Sequence, residues 1–110
     1  MGVTKTEIFT DEQNRIAQMA KVIGHPARVA ILQHLLAQRS CICGDLVNII
    51  GLSQPTISQH LREMKRVGLI KGNIEGTSVC YCIDSEVFKK YERTFSTLFD
   101  IDQCKLDNCC

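Results

Sequence analysis

The sequence predicts a mainly α-helical fold with one small β-hairpin, in the order α-α-α-α-β-β-α. Apolar residues recur at helical spacing near both ends of the chain, a short helical segment and a longer one meet at Gly51, and two short apolar runs flank a turn at residues 75–77. No linker, repeat or low-complexity segment interrupts the 110 residues, which suffice for one core of ordinary size. We therefore expect a single domain over residues 1–110 that includes a cysteine-containing tail at residues 101–110.

The first and last helices each carry one continuous apolar stripe. In the first helix, predicted over residues 11–23, the stripe comprises Ile16, Met19, Ala20 and Ile23. In the last helix, predicted over residues 85–100 after a cap at Asp84 or Ser85, steps of three and four residues join Phe88, Tyr91, Phe95 and Leu98. Pro26 opens a second helix whose contribution to the core should come from Ile31, Leu32, Leu35 and Leu36. A terminal helix with such a seam packs either on its own domain or against a second copy.

The most informative segment is a helix within residues 52–70. Ser53 is a suitable N-cap, Pro55 falls in the first turn where its missing N–H costs nothing, and Gly68 suits the left-handed position after the helix end. The stripe that should face the core consists of Ile57, Leu61 and Met64. Off that stripe lie side chains that can bond base edges or phosphate oxygens, namely Gln54, Thr56, Ser58, Gln59 and Arg62.

The segments before and after this helix indicate that it belongs to a DNA-binding motif. Residues 44–50 form a short helical candidate with Asp45 near its N-terminus and Gly51 as its stop, so the pair reads as a helix-turn-helix. The apolar runs at residues 69–74 and 78–83 then form a hairpin. This order predicts a winged helix-turn-helix, in which the second helix of the motif enters the major groove of DNA and the hairpin touches the flanking backbone.

Four segments of the chain resemble the ArsR family of winged-helix repressors, in its arsenical-resistance branch. They are GHPARVAILQHLL from Gly24, CICGDL from Cys41, LSQPTISQHLREMKRVGLI from Leu52 and GTSVCYCID ending at Asp84. The resemblance implies a homodimer, paired through its first and last helices, that releases double-stranded operator DNA when a metal or metalloid ion, or an oxidant, reaches its cysteines. The residues expected to contact DNA are Ser53, Gln54, Thr56, Ser58, Gln59, His60, Arg62, Lys65 and Lys71.

Charge and composition agree with that class. The net charge is only +1, but residues 54–82 hold four basic and two acidic side chains, whereas residues 84–110 hold four basic and six acidic ones. The chain has no apolar run long enough to span a membrane and its start lacks the apolar core of a signal peptide, so we expect a cytoplasmic protein. Thiols in the cytosol stay reduced, so seven cysteines indicate metal or redox chemistry rather than a disulfide scaffold. No C-x-x-C motif or catalytic constellation indicates an enzyme.

The cysteines fall into three groups. Cys41 and Cys43 should lie near the start of the short helix, where the helix dipole favours a thiolate. This segment resembles the C-x-C-D-L motif of arsenic-responsive members of the family. Those members carry a further cysteine in the helix, and this chain lacks it. Trivalent arsenic or antimony prefers three sulfur ligands, so the tail is the expected source of the remainder, with Cys104, Cys109 and Cys110. Either group, or both together, could form the sensor. Cys80 and Cys82 should point outward from the hairpin, as a second thiol site or simply as small strand residues.

The positions of the histidines restrict which ion can be the inducer. Zinc and nickel sensors of the family carry histidines on the last helix, and residues 84–110 contain none. A cysteine-rich, histidine-poor supply suits soft ions. We therefore predict As(III) or Sb(III) as the inducer ligand, without an organic cofactor. The alternative signal is an oxidant or reactive sulfur that pairs Cys41 or Cys43 with Cys104 or a neighbour. A thiol oxidoreductase or a cysteine-based metal carrier on the same scaffold is the remaining alternative.

Overall fold

The computed structural model describes residues 6–38, 41–43, 46–74 and 80–100. A single 3-10 turn at Thr6–Ile8 precedes the main elements. In chain order these are α1 (Asp11–Ile23), α2 (Pro26–Gln38), β1 (Ile42–Cys43), α3 (Val47–Ile50), α4 (Gln54–Arg66), β2 (Ile70–Asn73), β3 (Cys80–Ile83) and α5 (Ser85–Leu98). The predicted order of five helices and a hairpin is confirmed, with β1 as an additional strand that was not predicted.

Side-chain caps fix the starts of the two terminal helices. The Thr10 hydroxyl accepts a hydrogen bond from the backbone N–H of Gln13, and the Gln13 side chain accepts one from the backbone N–H of Thr10. This reciprocal pair satisfies two donors in the first turn of α1. At α5, the Asp84 carboxylate accepts from the backbone N–H groups of Glu86 and Val87. Both helices therefore begin where the sequence predicts.

The three strands form one antiparallel sheet in the order β1-β3-β2. Strand β3 pairs with β2 from Ile70 opposite Ile83 to Asn73 opposite Cys80, and this is the predicted hairpin. On its other edge β3 pairs with β1, where Ile42 lies opposite Tyr81. The segment that precedes the helix-turn-helix is thereby held to the hairpin that follows it.

The core lies between α2, α4 and the hairpin. The predicted stripe of α4 is buried, with Ile57, Leu61 and Met64 at most 2% exposed. In α2 the prediction holds for Ile31, Leu32 and Leu35, but it is wrong for Leu36, whose side chain is 49% exposed. The remaining core comes chiefly from Leu46, just before α3, and from residues in or beside the hairpin strands, namely Leu69, Ile70, Ile74 and Tyr81.

The stripes of α1 and α5 are only partly covered. Met19 is buried in α1 as predicted, but Val22 is the other buried residue of that helix and Ala20 is exposed. No residue of α5 is buried, and Leu98 and Phe99 are 51% and 70% exposed. The terminal helices thus leave apolar surface open to solvent. Among the helices that the structure describes, none is long and apolar enough to cross a membrane.

Candidate nucleic-acid interface and thiol pair

Helix α4 presents a polar face of small and basic side chains away from the core. Its exposed members, together with the residue before the helix, are Ser53, Gln54, Thr56, Gln59, Arg62 and Lys65, and Lys71 is exposed on the adjacent strand β2. Gln54 Nε2 donates to Ser58 Oγ at 3.1 Å, and the hydroxyls of Ser53 and Thr56 lie 3.0 Å apart. These groups can exchange such local hydrogen bonds for base edges and phosphates. Ser58 itself is half-buried.

His60 departs from the predicted DNA-contacting set. Its side chain is only 7% exposed, and its Nδ1 accepts a hydrogen bond of 3.0 Å from Arg28 Nε on α2. The ring also lies against that of His25, with 4.4 Å between centroids. The prediction that His60 contacts DNA is corrected for this reason, since its ring faces the domain interior. The sequence held a signal for this, because His60 completes an i, i+3, i+4, i+7 stripe with Ile57, Leu61 and Met64.

Arg28 joins three helices beneath the polar face. Besides His60 in α4, it bonds the carbonyl oxygen of Val22 in α1 through Nη1 at 2.9 Å. His25, at the start of the same turn, accepts from the backbone N–H of Ala27 through Nδ1 at 3.0 Å. Burial lowers the pKa of His60, and His25 and Arg28 lower it further. A neutral His60 is the form that can accept from Arg28, so the contact holds α4 on α1 and α2 while that imidazole is uncharged. Sequence reasoning did not single out Arg28.

The first helix of the helix-turn-helix is shorter than predicted. It begins at Val47 rather than at residue 44, and Gly51 ends it with a left-handed φ of 88°. Cys41 precedes strand β1 and Cys43 lies within it, so the prediction that a helix N-terminus activates these thiols is wrong. Their conformation comes instead from pairing with β3.

The pairing brings Cys41 next to Cys82. Ile42 lies opposite Tyr81, which makes Cys41 and Cys82 the next facing positions of the ladder, and both are free thiols. Their thiols are hydrogen-bonded, and this bond, together with burial, raises the pKa of Cys82, while Lys71 acts in the opposite direction. Sequence reasoning placed Cys82 outward but did not connect it to Cys41. Residues so distant in sequence can be paired only once the strand register is known.

The other cysteines are not part of this thiol pair. The backbone register places Cys43 opposite Cys80, and Cys80 is disulfide-bonded. The predicted tail ligands Cys104, Cys109 and Cys110 lie outside the described residues. Within the described ranges, no three histidine, cysteine, aspartate or glutamate side chains are grouped to hold a metal ion.

Comparisons with known proteins agree with this architecture. A family model described as bacterial regulatory protein, arsR family, matches residues 25–71. An HTH-type transcriptional regulator of Methanocaldococcus jannaschii is 34% identical over 79 residues, which cover 70% of this chain and 88% of that protein. The HTH-type transcriptional regulator YgaV of Escherichia coli is 31% identical, over 76% of this chain and 84% of its own length. A cadmium resistance transcriptional regulatory protein CadC homolog of Staphylococcus aureus is 38% identical, over 78% of this chain and 71% of its own length.

The fold is shared with solved regulators. The crystal structure of NolR from Sinorhizobium fredii superposes with a TM-score of 0.59 at 24% identity, covering 90% of this chain and 96% of NolR. The crystal structure of Rv0081 from Mycobacterium tuberculosis superposes with a TM-score of 0.60 at 22% identity, covering 84% of this chain and 96% of Rv0081. The chain belongs to the arsR family of bacterial regulatory proteins, and it is a DNA-binding transcriptional regulator rather than an enzyme.

Proposed function

We propose that this regulator is a homodimeric repressor that leaves its operator when trivalent arsenic or antimony binds its cysteine thiolates. The observation that carries the proposal is the position of Cys41. This exposed residue immediately precedes the short strand β1, which comes before the helix-turn-helix in the chain. A ligand bound there acts on the segment that positions the recognition helix α4.

The exposed face of α4 supports the DNA-binding part of the proposal. Gln54, Thr56 and Gln59 offer neutral donors and acceptors suited to base edges. Arg62, Lys65 and Lys71 supply positive charge suited to phosphates. Arg28 and His60 hold the helix from beneath, which fixes the direction of this face.

The open apolar surface of the terminal helices supports dimerisation. A cavity of about 340 Å³ lies between α2 and α5, and its lining is almost wholly apolar, including Ile23, Val29, Leu36, Phe88, Tyr91 and Phe95. Leu98 and Phe99 extend this surface at the end of α5. Exposed apolar surface of this kind is a common sign of an interface. A second copy paired through α1 and α5 would cover it and set two recognition helices on one duplex.

The choice of inducer rests on ligand chemistry. Soft ions prefer thiolates, and the proposed ligands are Cys41 and Cys43 together with Cys104, Cys109 and Cys110 of the tail. The Staphylococcus aureus relative is named for cadmium resistance, which favours a soft ion as the class of signal. The second candidate is a redox or reactive-sulfur signal at the same thiols, favoured by the contact between Cys41 and Cys82.

The test is an anisotropy titration of the full chain, with its thiols reduced, on operator DNA. Arsenite, antimonite, zinc and a persulfide are added in parallel. Release by arsenite or antimonite is expected, with no effect of zinc, and Cys41→Ser should abolish it. Continued DNA binding at saturating arsenite, with free thiols verified, would refute the metalloid proposal.

DNA contacts are tested in the same assay by substitution on α4. Lys65→Ala should lower the dependence of log affinity on log salt by about one phosphate contact, roughly 0.9 in slope. Gln59→Ala should cost about 1–3 kcal/mol on the preferred operator and less on a scrambled duplex. Lys90→Ala, on the exposed face of α5, is the matched control and should change neither quantity.

A further inference from the structure

Two free thiols face one another where β1 pairs with β3, the central strand of the sheet. Cys41 precedes the Ile42–Tyr81 pair on one strand, and Cys82 follows it on the other. The side chains are hydrogen-bonded to each other, and both residues line a cavity of about 440 Å³. The pair therefore lies in contact and can be reached by a small molecule.

The backbone at this position suits a covalent bond between the sulfurs. Facing residues of an antiparallel pair have Cα atoms roughly 4.5–5.5 Å apart. Disulfides span Cα separations of about 4.4–6.8 Å, so these strands need little movement to be bridged. Cys80, two residues before Cys82 and on the same face of β3, is already disulfide-bonded. This face of the strand therefore accommodates a disulfide.

The two thiols have different surroundings. Cys41 is exposed, whereas Cys82 is half-buried. The Lys71 side chain lines the same cavity and supplies a positive charge nearby. An incoming oxidant therefore meets Cys41 first, with the second thiol held beside it.

We propose that Cys41 and Cys82 form a redox-active dithiol that hydroperoxides convert into a cross-strand disulfide. The Cys41 thiolate attacks the peroxide, whose O–O bond breaks, giving a Cys41 sulfenic acid and hydroxide. The Cys82 sulfur then attacks the Cys41 sulfur and displaces the hydroxyl group, which leaves as water with the Cys82 proton. In total two thiols lose two electrons and two protons, and one hydrogen peroxide becomes two waters.

The bond would have two consequences for the regulator. It ties the strand that leads into the helix-turn-helix to the hairpin that follows it. It also removes Cys41 from reaction with a metalloid, and this second consequence rests on the proposed function. An oxidised protein should then stay on its operator at arsenite concentrations that release the reduced protein.

The first experiment counts thiols and needs neither DNA nor arsenite. The full chain is reduced, freed of reductant and treated with stoichiometric hydrogen peroxide. It is then alkylated with N-ethylmaleimide, and Cys41 and Cys82 are followed by peptide mass spectrometry. Alkylation of both should fall at least tenfold together and return with dithiothreitol. In Cys82→Ser, Cys41 should instead accumulate as a sulfenic acid that dimedone traps.

A variant with Cys104, Cys109 and Cys110 all replaced by Ser is the matched control. It should retain the joint loss of Cys41 and Cys82, because the tail is not a partner in the proposed bond. Unchanged alkylation of Cys41 after peroxide, or a loss that disappears in this tail variant, overturns the proposal. The outcome stands whether or not arsenite proves to be the inducer.

The second experiment repeats the operator titration with the oxidised protein. At least tenfold more arsenite should be needed for release than with the reduced protein. If arsenite releases both forms equally, the link to induction is overturned. If arsenite releases neither form while the thiol counts behave as described, the inducer proposal fails and the dithiol stands.

Discussion

Replacing Arg28 with alanine should lower the free energy of unfolding by about 2–3 kcal/mol. The guanidinium makes two hydrogen bonds, of 3.0 Å to His60 Nδ1 and 2.9 Å to the carbonyl oxygen of Val22. Each contributes about 1 kcal/mol net, and leaving a buried acceptor unsatisfied adds about 1 kcal/mol more. His60 is such an acceptor, since its side chain is only 7% exposed.

Urea denaturation followed by circular dichroism measures this effect. Arg66→Ala is the matched control, because Arg66 pairs with Glu63 at 3.1 Å on the surface, where the two side chains are 62% and 40% exposed. Such an exposed pair should contribute less than about 1 kcal/mol. A double-mutant cycle with His60→Ala should give a coupling energy of about 1 kcal/mol between Arg28 and His60.

Either of two results would contradict this role of Arg28. One is an Arg28→Ala variant no less stable than Arg66→Ala. The other is a coupling energy indistinguishable from zero, which would mean that Arg28 and His60 act independently. Operator affinity of the folded Arg28→Ala protein should also fall, because α4 loses the hydrogen bond that fixes it on α2.

Three further predictions concern pH, backbone and capping. The pKa of His60 is lowered in the folded state from its ordinary value of 6.5, so the unfolded chain takes up the proton first as the pH falls. The contribution of His60 to stability should therefore be complete above about pH 6.5 and decrease below it. Thermal melts over this pH range should show a weaker decline for His60→Gln. Gly72→Ala should cost more than about 2 kcal/mol in urea denaturation, since φ is 121° and a Cβ would strike the backbone of β3, whereas Gly51→Ala, with open space around it, should cost about 1 kcal/mol; equal costs would contradict the close approach. Thr10→Ala should cost about 1 kcal/mol by the same measurement through loss of the N-cap of α1, and no loss would show that the cap is dispensable.

The recognition helix was predictable because its signals are local. A proline in the first turn and a left-handed glycine after the end act within a few residues, and the structure places α4 at Gln54–Arg66 with Gly68 at a φ of 88°. Ser53 occupies the N-cap position as predicted, but its side chain makes no capping hydrogen bond. The bounds of helix α1 were predictable for the same reason, because its start and its end are also marked by residues next to the helix. Its apolar stripe was less well predicted, because which face is buried depends on how the helix docks on its neighbours.

Strand β1 and the thiol pair could not be predicted in this way. A two-residue strand such as Ile42–Cys43 has no periodicity to detect, and it exists only because it pairs with β3. Asp45 and Gly51 predict a helix over residues 44–50, which would place Cys41 and Cys43 near its start. The helix that forms has only four residues, Val47–Ile50. The contact between Cys41 and Cys82 depends on the register of strands that are distant in sequence, which local signals do not contain.

The sheet also explains how chemistry at Cys82 can reach the recognition helix. Two residues after Cys82, the backbone N–H of Asp84 donates to the carbonyl oxygen of Leu69 at 2.9 Å. The backbone N–H of Leu69 in turn donates to the carbonyl oxygen of Met64 in α4, also at 2.9 Å. Leu69 and Met64 are both fully buried, so these groups sit in close-packed surroundings that resist independent movement. A change in β3 therefore has a short, rigid connection to the end of α4. For this reason we expect Cys82→Ser to alter the redox response of DNA binding while leaving the affinity of the reduced protein unchanged.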